Sequence, residues 1–219
     1  MRIKKERMAA EYGHFIQEGI SETYRISLLG CPMGKRLLLL YSSRTGFTKR
    51  YAQWIGEDLG VPCVPLEDYR RGMEESYDRI LVGGGIYCGE LRGLKTFRGI
   101  QKRAPDQKMI YFAVGLRPAS EETTRRILHY NFGEGSGTKL YYFQGGLQLE
   151  ALDQKQRTMR TVFRSMLGRR RDLSEDDRVL LERLRVSGDY CDRTQTQELI
   201  AYLADGAQEN EGGGIPKVL

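Results

Sequence analysis

Ser43-Arg44-Thr45-Gly46-Phe47-Thr48 brings three hydroxyls, a cation and a glycine together in one short stretch. It follows the apolar run Leu37-Leu38-Leu39-Leu40-Tyr41 and opens a helical pattern from Thr48 to Leu59. A strand leading straight into a helix leaves free N–H groups and the positive end of the helix dipole at the turn. Both favour a bound phosphate. The hydroxyls of Ser43, Thr45 and Thr48 can donate further hydrogen bonds, and Gly46 permits a tight turn around the anion. No Lys follows the glycine, so the Walker A pattern does not apply, nor does G-x-G-x-x-G. The plainer alternative is a hydroxyl-rich turn with no ligand.

The elements that must position this loop are legible from periodicity. Leu37 to Tyr41 is a continuous apolar run, as expected of a strand buried on both faces. In the helix that follows, Tyr51, Ala52, Ile55 and Leu59 share a face, and Gly60 stands where a helix ends. Val61 to Leu66 reads as a second strand whose prolines suit a sheet edge. Arg79 to Gly83 is a third, Lys108 to Val114 a fourth and Thr138 to Phe143 a fifth. Helices are expected over Leu94 to Lys102 and, capped by Ser120, over Glu121 to Tyr130. Strands alternating with helices specify an α/β protein with an open parallel sheet and helices on both faces.

Further helices are expected over Leu149 to Leu167, from a capping box at Ser174 to about Arg185, and over Thr194 to Ala204. Residues 1–32 give no clear strand, and Met33 stands just before the first one. Met33 is therefore expected to be the biological start, with 1–32 an over-extended translation. A genuine N-terminal appendage is the rival, and N-terminal sequencing of native protein separates them. Residues 33–206 form the expected domain. Residues 207–219, within a Gly-rich polar tail, are expected to be flexible.

Bulk properties narrow the functional classes. The chain has 219 residues, 40% hydrophobic and 29% charged, as a globular protein has. No stretch approaches the ~18 apolar residues needed to span a bilayer, and the charged N-terminus lacks a signal-peptide core. A cytoplasmic location is expected. Cys31, Cys63, Cys88 and Cys191 are scattered without metal-ligand spacing, so free thiols are expected and no metal site. His14 and His129 stand alone. The net charge is +6, yet no nucleic-acid-binding signature accompanies it, and no nucleic-acid partner is expected.

A second glycine-rich segment, Gly83-Gly84-Gly85-Ile86-Tyr87, ends the third strand. In an open α/β sheet the ligand sits at the carboxyl ends of the strands where the winding reverses. Glycines there would let a flat ring approach the backbone, and Ile86 and Tyr87 could cover its face. Close packing alone is the alternative reason for the glycines. A third segment, Gly115-Leu116-Arg117-Pro118, follows strand four. No residue has the partner expected of a general acid, base or nucleophile.

Ser/Thr-x-Thr-Gly-x-Thr after the first strand resembles the FMN phosphate signature of flavodoxins. The likeness covers about residues 35–167. It is similar above all to the flavodoxin-domain group that includes the bacterial quinone-dependent protoporphyrinogen oxidases, through Tyr41 to Thr48, Tyr77 to Tyr87 and the segment around Gln144 to Leu167. The resemblance implies a flavodoxin-like three-layer sandwich with a five-stranded parallel sheet in order 2-1-3-4-5. It implies FMN bound by Ser43, Arg44, Thr45, Gly46, Phe47, Thr48, Gly84, Gly85, Ile86, Tyr87, Gly115, Leu116 and Arg117. Arg117 would stand by the flavin N1–C2=O edge or be merely solvated, and Gly145 and Gly146 would border the site. Three functions stay open: an electron-carrying FMN protein, a quinone-dependent protoporphyrinogen oxidase-like flavoenzyme, and a flavin-free interaction protein on the same scaffold. The implied partner is a redox protein or a quinone. The basic helix over 157–171 offers a peripheral membrane contact, or simply a core-packed helix with a solvated arginine face.

Overall fold

The computed structural model describes residues 36–204. The expectations for residues 1–32 and 207–219, and for His14 and Cys31, lie outside them.

Strand β1 spans Leu37–Ser42 and is buried along its whole length. Its side chains alternate between two cores. Leu37, Leu39 and Tyr41 join a cluster that includes Tyr51, Ile55, Leu199 and Leu203. Leu38 and Leu40 join a second cluster with Phe97, Ile100 and Ile127. An unbroken apolar strand thus serves a layer of helices on each face.

Helix α1 is Phe47–Leu59, opening at Gly46 and closing at Gly60, both with left-handed backbone. Strand β2 is only Cys63–Pro65 and lies at the sheet edge beside β1. Strand β3, Arg79–Tyr87, runs on through all three glycines. A tight turn at Cys88 and Gly89, with φ of 51° and 94°, folds the chain back. The short strand β4, Glu90–Leu91, then pairs antiparallel with β3. Helix α2 is Leu94–Arg103, strand β5 Lys108–Gly115, helix α3 Glu121–Phe132 and strand β6 Lys139–Gln144. The main sheet has the order β2-β1-β3-β5-β6 with every neighbour parallel. Counting only those five strands, this is the expected order 2-1-3-4-5.

The remaining elements sit outside the alternation. Strand β7, Gly146–Leu147, pairs antiparallel with β8, Gly188–Asp189. Helix α4 is Gln154–Gly168 and begins five positions later than its periodicity suggests. The reason is a reciprocal cap: Asp153 accepts from the Gln156 N–H and Gln156 returns a bond to the Asp153 N–H. Helix α5, Glu175–Arg183, is capped by Ser174. The reciprocal half of that box is missing because the Asp177 side chain pairs elsewhere, with Arg117 and Arg126. Helix α6, Gln197–Ala204, is preceded by a 3-10 turn over Arg193–Thr196, so the expected single helix from Thr194 has two parts. No helix among the described residues is long and apolar enough to cross a membrane.

Candidate functional site

The end of β1 and the start of α1 form a cradle. Gly46, at φ 88°, heads the helix, and no side chain caps it. The first N–H groups of α1 therefore lack the usual hydroxyl or carboxylate acceptor. In the same loop the buried Ser43 Oγ has no hydrogen-bond partner among the described residues, although neither Ser43 nor Gly46 borders the cavity at the carboxyl ends of the strands. An orphaned hydroxyl normally costs about 1–3 kcal/mol and marks a place awaiting an acceptor or donor. Thr48 is buried at the same helix start. Its Oγ1 lies 3.4 Å from where a Cβ on Gly85 would stand. These features fit a phosphate group.

The other members of the loop divide. Arg44 and Thr45 border a large cavity at the carboxyl ends of the strands. The Arg44 guanidinium forms an ion pair with Asp153 and so fastens the start of α4 to the loop. Phe47 is buried, and a Cβ on Gly146 would meet its ring at 2.5 Å. Gly146 thus makes room for this ring, Gly145 makes room for Val114, and both also border the cavity.

The second glycine segment is strand rather than loop, and its glycines serve different ends. A Cβ on Gly83 would lie 1.9 Å from the Phe112 ring, and one on Gly84 would lie 2.3 Å from the Arg92 carbonyl oxygen. Neither residue borders the cavity; Gly85, Ile86 and Tyr87 do. Close packing explains Gly83 and Gly84, and an approach of a ring to the backbone is open only at Gly85.

The third segment also borders the cavity, through Gly115, Leu116 and Arg117. A Cβ on Gly115 would meet the Tyr142 hydroxyl at 2.8 Å. That hydroxyl donates to the Arg117 carbonyl at 3.0 Å. Burial pushes the Tyr142 phenol well above its ordinary pKa, so it stays a neutral donor. Arg117 is not simply solvated. Its guanidinium forms an ion pair with Asp177, which also takes Arg126 at 3.1 Å. Burial pushes the Asp177 carboxyl upward, but the two guanidinium groups outweigh burial and hold its pKa below the usual value.

Helices α4 and α5 close another side of the cavity. Leu116 packs on Leu167, Leu180 and Leu184, and Arg183 donates to the Leu116 carbonyl at 3.0 Å. The cavity encloses about 1280 Å³. Sequence reasoning missed this wall. It also missed Arg92, Lys95, Arg98 and Lys102, which border the cavity from β4 and α2. The 95/98/102 spacing on one helix was the visible signal.

On α4 the arginines are only partly free. Arg157 Nε donates to the Leu152 carbonyl at 2.9 Å and Arg160 Nη1 to the Leu184 carbonyl at 2.7 Å. Met159, Val162 and Met166 stand exposed beside them. Cys88 is a largely exposed free thiol in the β3–β4 turn, and partial desolvation of the sulfur together with the nearby Glu90 carboxylate raises its pKa. Among the described residues, no group of His, Cys, Asp and Glu is placed to hold a metal ion. His129 is exposed on α3.

Residues 38–174 match the family model described as flavodoxin domain. No curated protein matches the chain. Solved structures that resemble it include a flavodoxin from the domain Archaea, at 12% identity and TM-score 0.38, covering 68% of this chain and 96% of that one. A flavoprotein in complex with FMN from Lactobacillus acidophilus has 14% identity and TM-score 0.33, covering 51% of this chain and 93% of that one. A flavodoxin from Fusobacterium nucleatum bound to flavin mononucleotide has 16% identity and TM-score 0.34, with 50% and 69% covered.

Proposed function

This chain belongs to the flavodoxin-domain family, and from that premise we propose that it binds FMN and moves electrons through the flavin. The observation that carries the proposal is the cradle after β1: an uncapped helix start behind Gly46 and, in the same loop, the Ser43 hydroxyl, which has no partner among the described residues. In this reading the α1 N–H groups, Ser43, Thr45 and Thr48 grip the phosphate. Gly85, Ile86 and Tyr87 flank the ring on one side, and Gly115 to Arg117 on the other. FMN when bound supplies one- and two-electron redox chemistry. The protein excludes water with apolar walls, and the Asp177–Arg117 pair fixes a guanidinium at the cavity edge. Purified protein should take up FMN one to one and show flavin absorbance. Protein that stays colourless after FMN is added overturns this and favours the flavin-free interaction reading.

A second reading has one observation in its favour. The cavity is larger than the 300–1,000 Å³ usual for a small-molecule site, and α4 and α5 wall its outer part. Room beside the flavin suits an enzyme that oxidises a bound substrate, such as the quinone-dependent protoporphyrinogen oxidases the sequence resembles. Oxidation of protoporphyrinogen with a menaquinone analogue tests it, and a flavin that quinone does not reoxidise ends it. The partner in either reading is a quinone or a redox protein. The net charge of +6 favours an acidic protein. Peripheral membrane contact through 157–171 keeps less support, since Arg157 and Arg160 are already bonded to backbone carbonyls.

A further inference from the structure

Among the described residues ten cationic side chains border the cavity, four of them Arg92, Lys95, Arg98 and Lys102 from the β4–α2 stretch and others Lys155, Arg160 and Arg170 from α4 and just beyond it, against one carboxylate, that of Glu90. Arg44, Arg117 and Arg126 meet carboxylates of their own. The rest leave a positive field in a partly enclosed crevice, where low-dielectric walls concentrate it. One FMN phosphate at the start of α1 does not use this charge, because the densest part lies on α2.

Lys95, Arg98 and Lys102 fall at i, i+3 and i+7 of α2, in a row about 10 Å long. The Arg98 guanidinium is fixed by the Asn131 carbonyl and by the Phe132 ring, 5.9 Å from its centroid. Lys95 and Lys102 have no partner among the described residues. Helix α2 also opens as α1 does, at a left-handed glycine, Gly93 with φ 86°, and without a side-chain cap. Lys155 borders the same cavity from α4, beside the apolar Met159 and Phe163.

We propose that this part of the cavity is a second binding site, next to the flavin, for a co-substrate carrying two or more phosphate groups. The lysines act as point charges for phosphate, and the row accommodates phosphates set apart along one molecule. The Met159 and Phe163 side gives an apolar surface for the body of that molecule. The inference rests on the FMN reading, because the site is defined as the space that FMN leaves.

The test uses FMN-saturated protein, with flavin uptake scored first by absorbance so that the FMN site is judged separately. Inorganic pyrophosphate and NADPH are then titrated by calorimetry, alone and in competition, with succinate as the carboxylate control. Pyrophosphate should bind, and K95A/K102A should weaken it at least tenfold with FMN affinity unchanged. Competition by NADPH assigns the site to a dinucleotide, and pyrophosphate binding without it assigns the site to a smaller phosphorylated compound. No binding of pyrophosphate, equal binding by the double variant, or equal binding of succinate overturns the proposal.

Discussion

Removing the Ser43 hydroxyl should move stability and cofactor affinity in opposite directions. In the protein alone, Ser43 Oγ is buried and has no partner among the described residues. An unsatisfied buried hydroxyl costs about 1–3 kcal/mol, so Ser43→Ala should leave the flavin-free protein as stable as before or more stable. In the FMN complex the same oxygen would donate to a charged phosphate, a bond worth about 1.5–3 kcal/mol. Its loss corresponds to roughly a 10- to 150-fold weaker Kd. Urea unfolding of flavin-free protein gives the first quantity, and quenching of FMN fluorescence on titration gives the second. A variant less stable without flavin yet equal in FMN affinity would mean that the hydroxyl serves the fold, and the phosphate assignment of this loop would fail.

The double change Thr45→Ala with Thr48→Ala should weaken FMN binding several-fold or more, read by the same titration; unchanged affinity contradicts the cradle. Gly84→Ala would place a Cβ 2.3 Å from the Arg92 carbonyl oxygen. It should cost about 1–3 kcal/mol of stability, seen as a lower urea midpoint, although Gly84 does not border the cavity. Asp177→Asn removes a carboxylate that is 3% exposed and serves both Arg117 and Arg126. Breaking such a buried pair costs about 3–5 kcal/mol at neutral pH, measurable by denaturant unfolding. The Asp177 pKa is lower folded than unfolded, so its contribution is present above the unfolded value of about 3.9 and fades as pH falls through the folded value. The Asn variant should therefore lose less stability than the parent between about pH 5 and pH 2.

Much of this molecule can be read from local pattern. Four apolar runs marked β1, β3, β5 and β6 because each is buried along most of its length and carries no competing period, while the half-buried edge strand β2 was marked by its prolines. Gly60 and Ser120 marked helix ends because capping is a local affair. The two-residue strands β4, β7 and β8 were invisible because two positions hold no periodicity. The start of α4 was misplaced because Leu149 and Leu152 extend the apolar rhythm past the true cap at Asp153. At the site, the hydroxyl loop announced itself by residue type. The pairing of Arg117 with Asp177 joins residues far apart in sequence and depends on how α5 docks. Gly83 and Gly84 misled because a glycine needed for packing looks the same in sequence as one that admits a ligand.

Leu199 and Leu203 of α6 are fully buried in the cluster that also holds Tyr51 and Ile55 of α1. On the ribosome these partners emerge far apart in time. From Phe47 to Leu203, at roughly 5–20 residues per second, synthesis takes on the order of 8–30 s. Throughout that interval α1 covers that face of the nascent sheet without the leucines of α6. The phosphate loop sits at the head of the same helix, so the cofactor cradle cannot rest on a finished core until nearly the last described turn has been translated. A chaperone that shields nascent apolar surface, or early capture of the flavin, would have its greatest effect in that window.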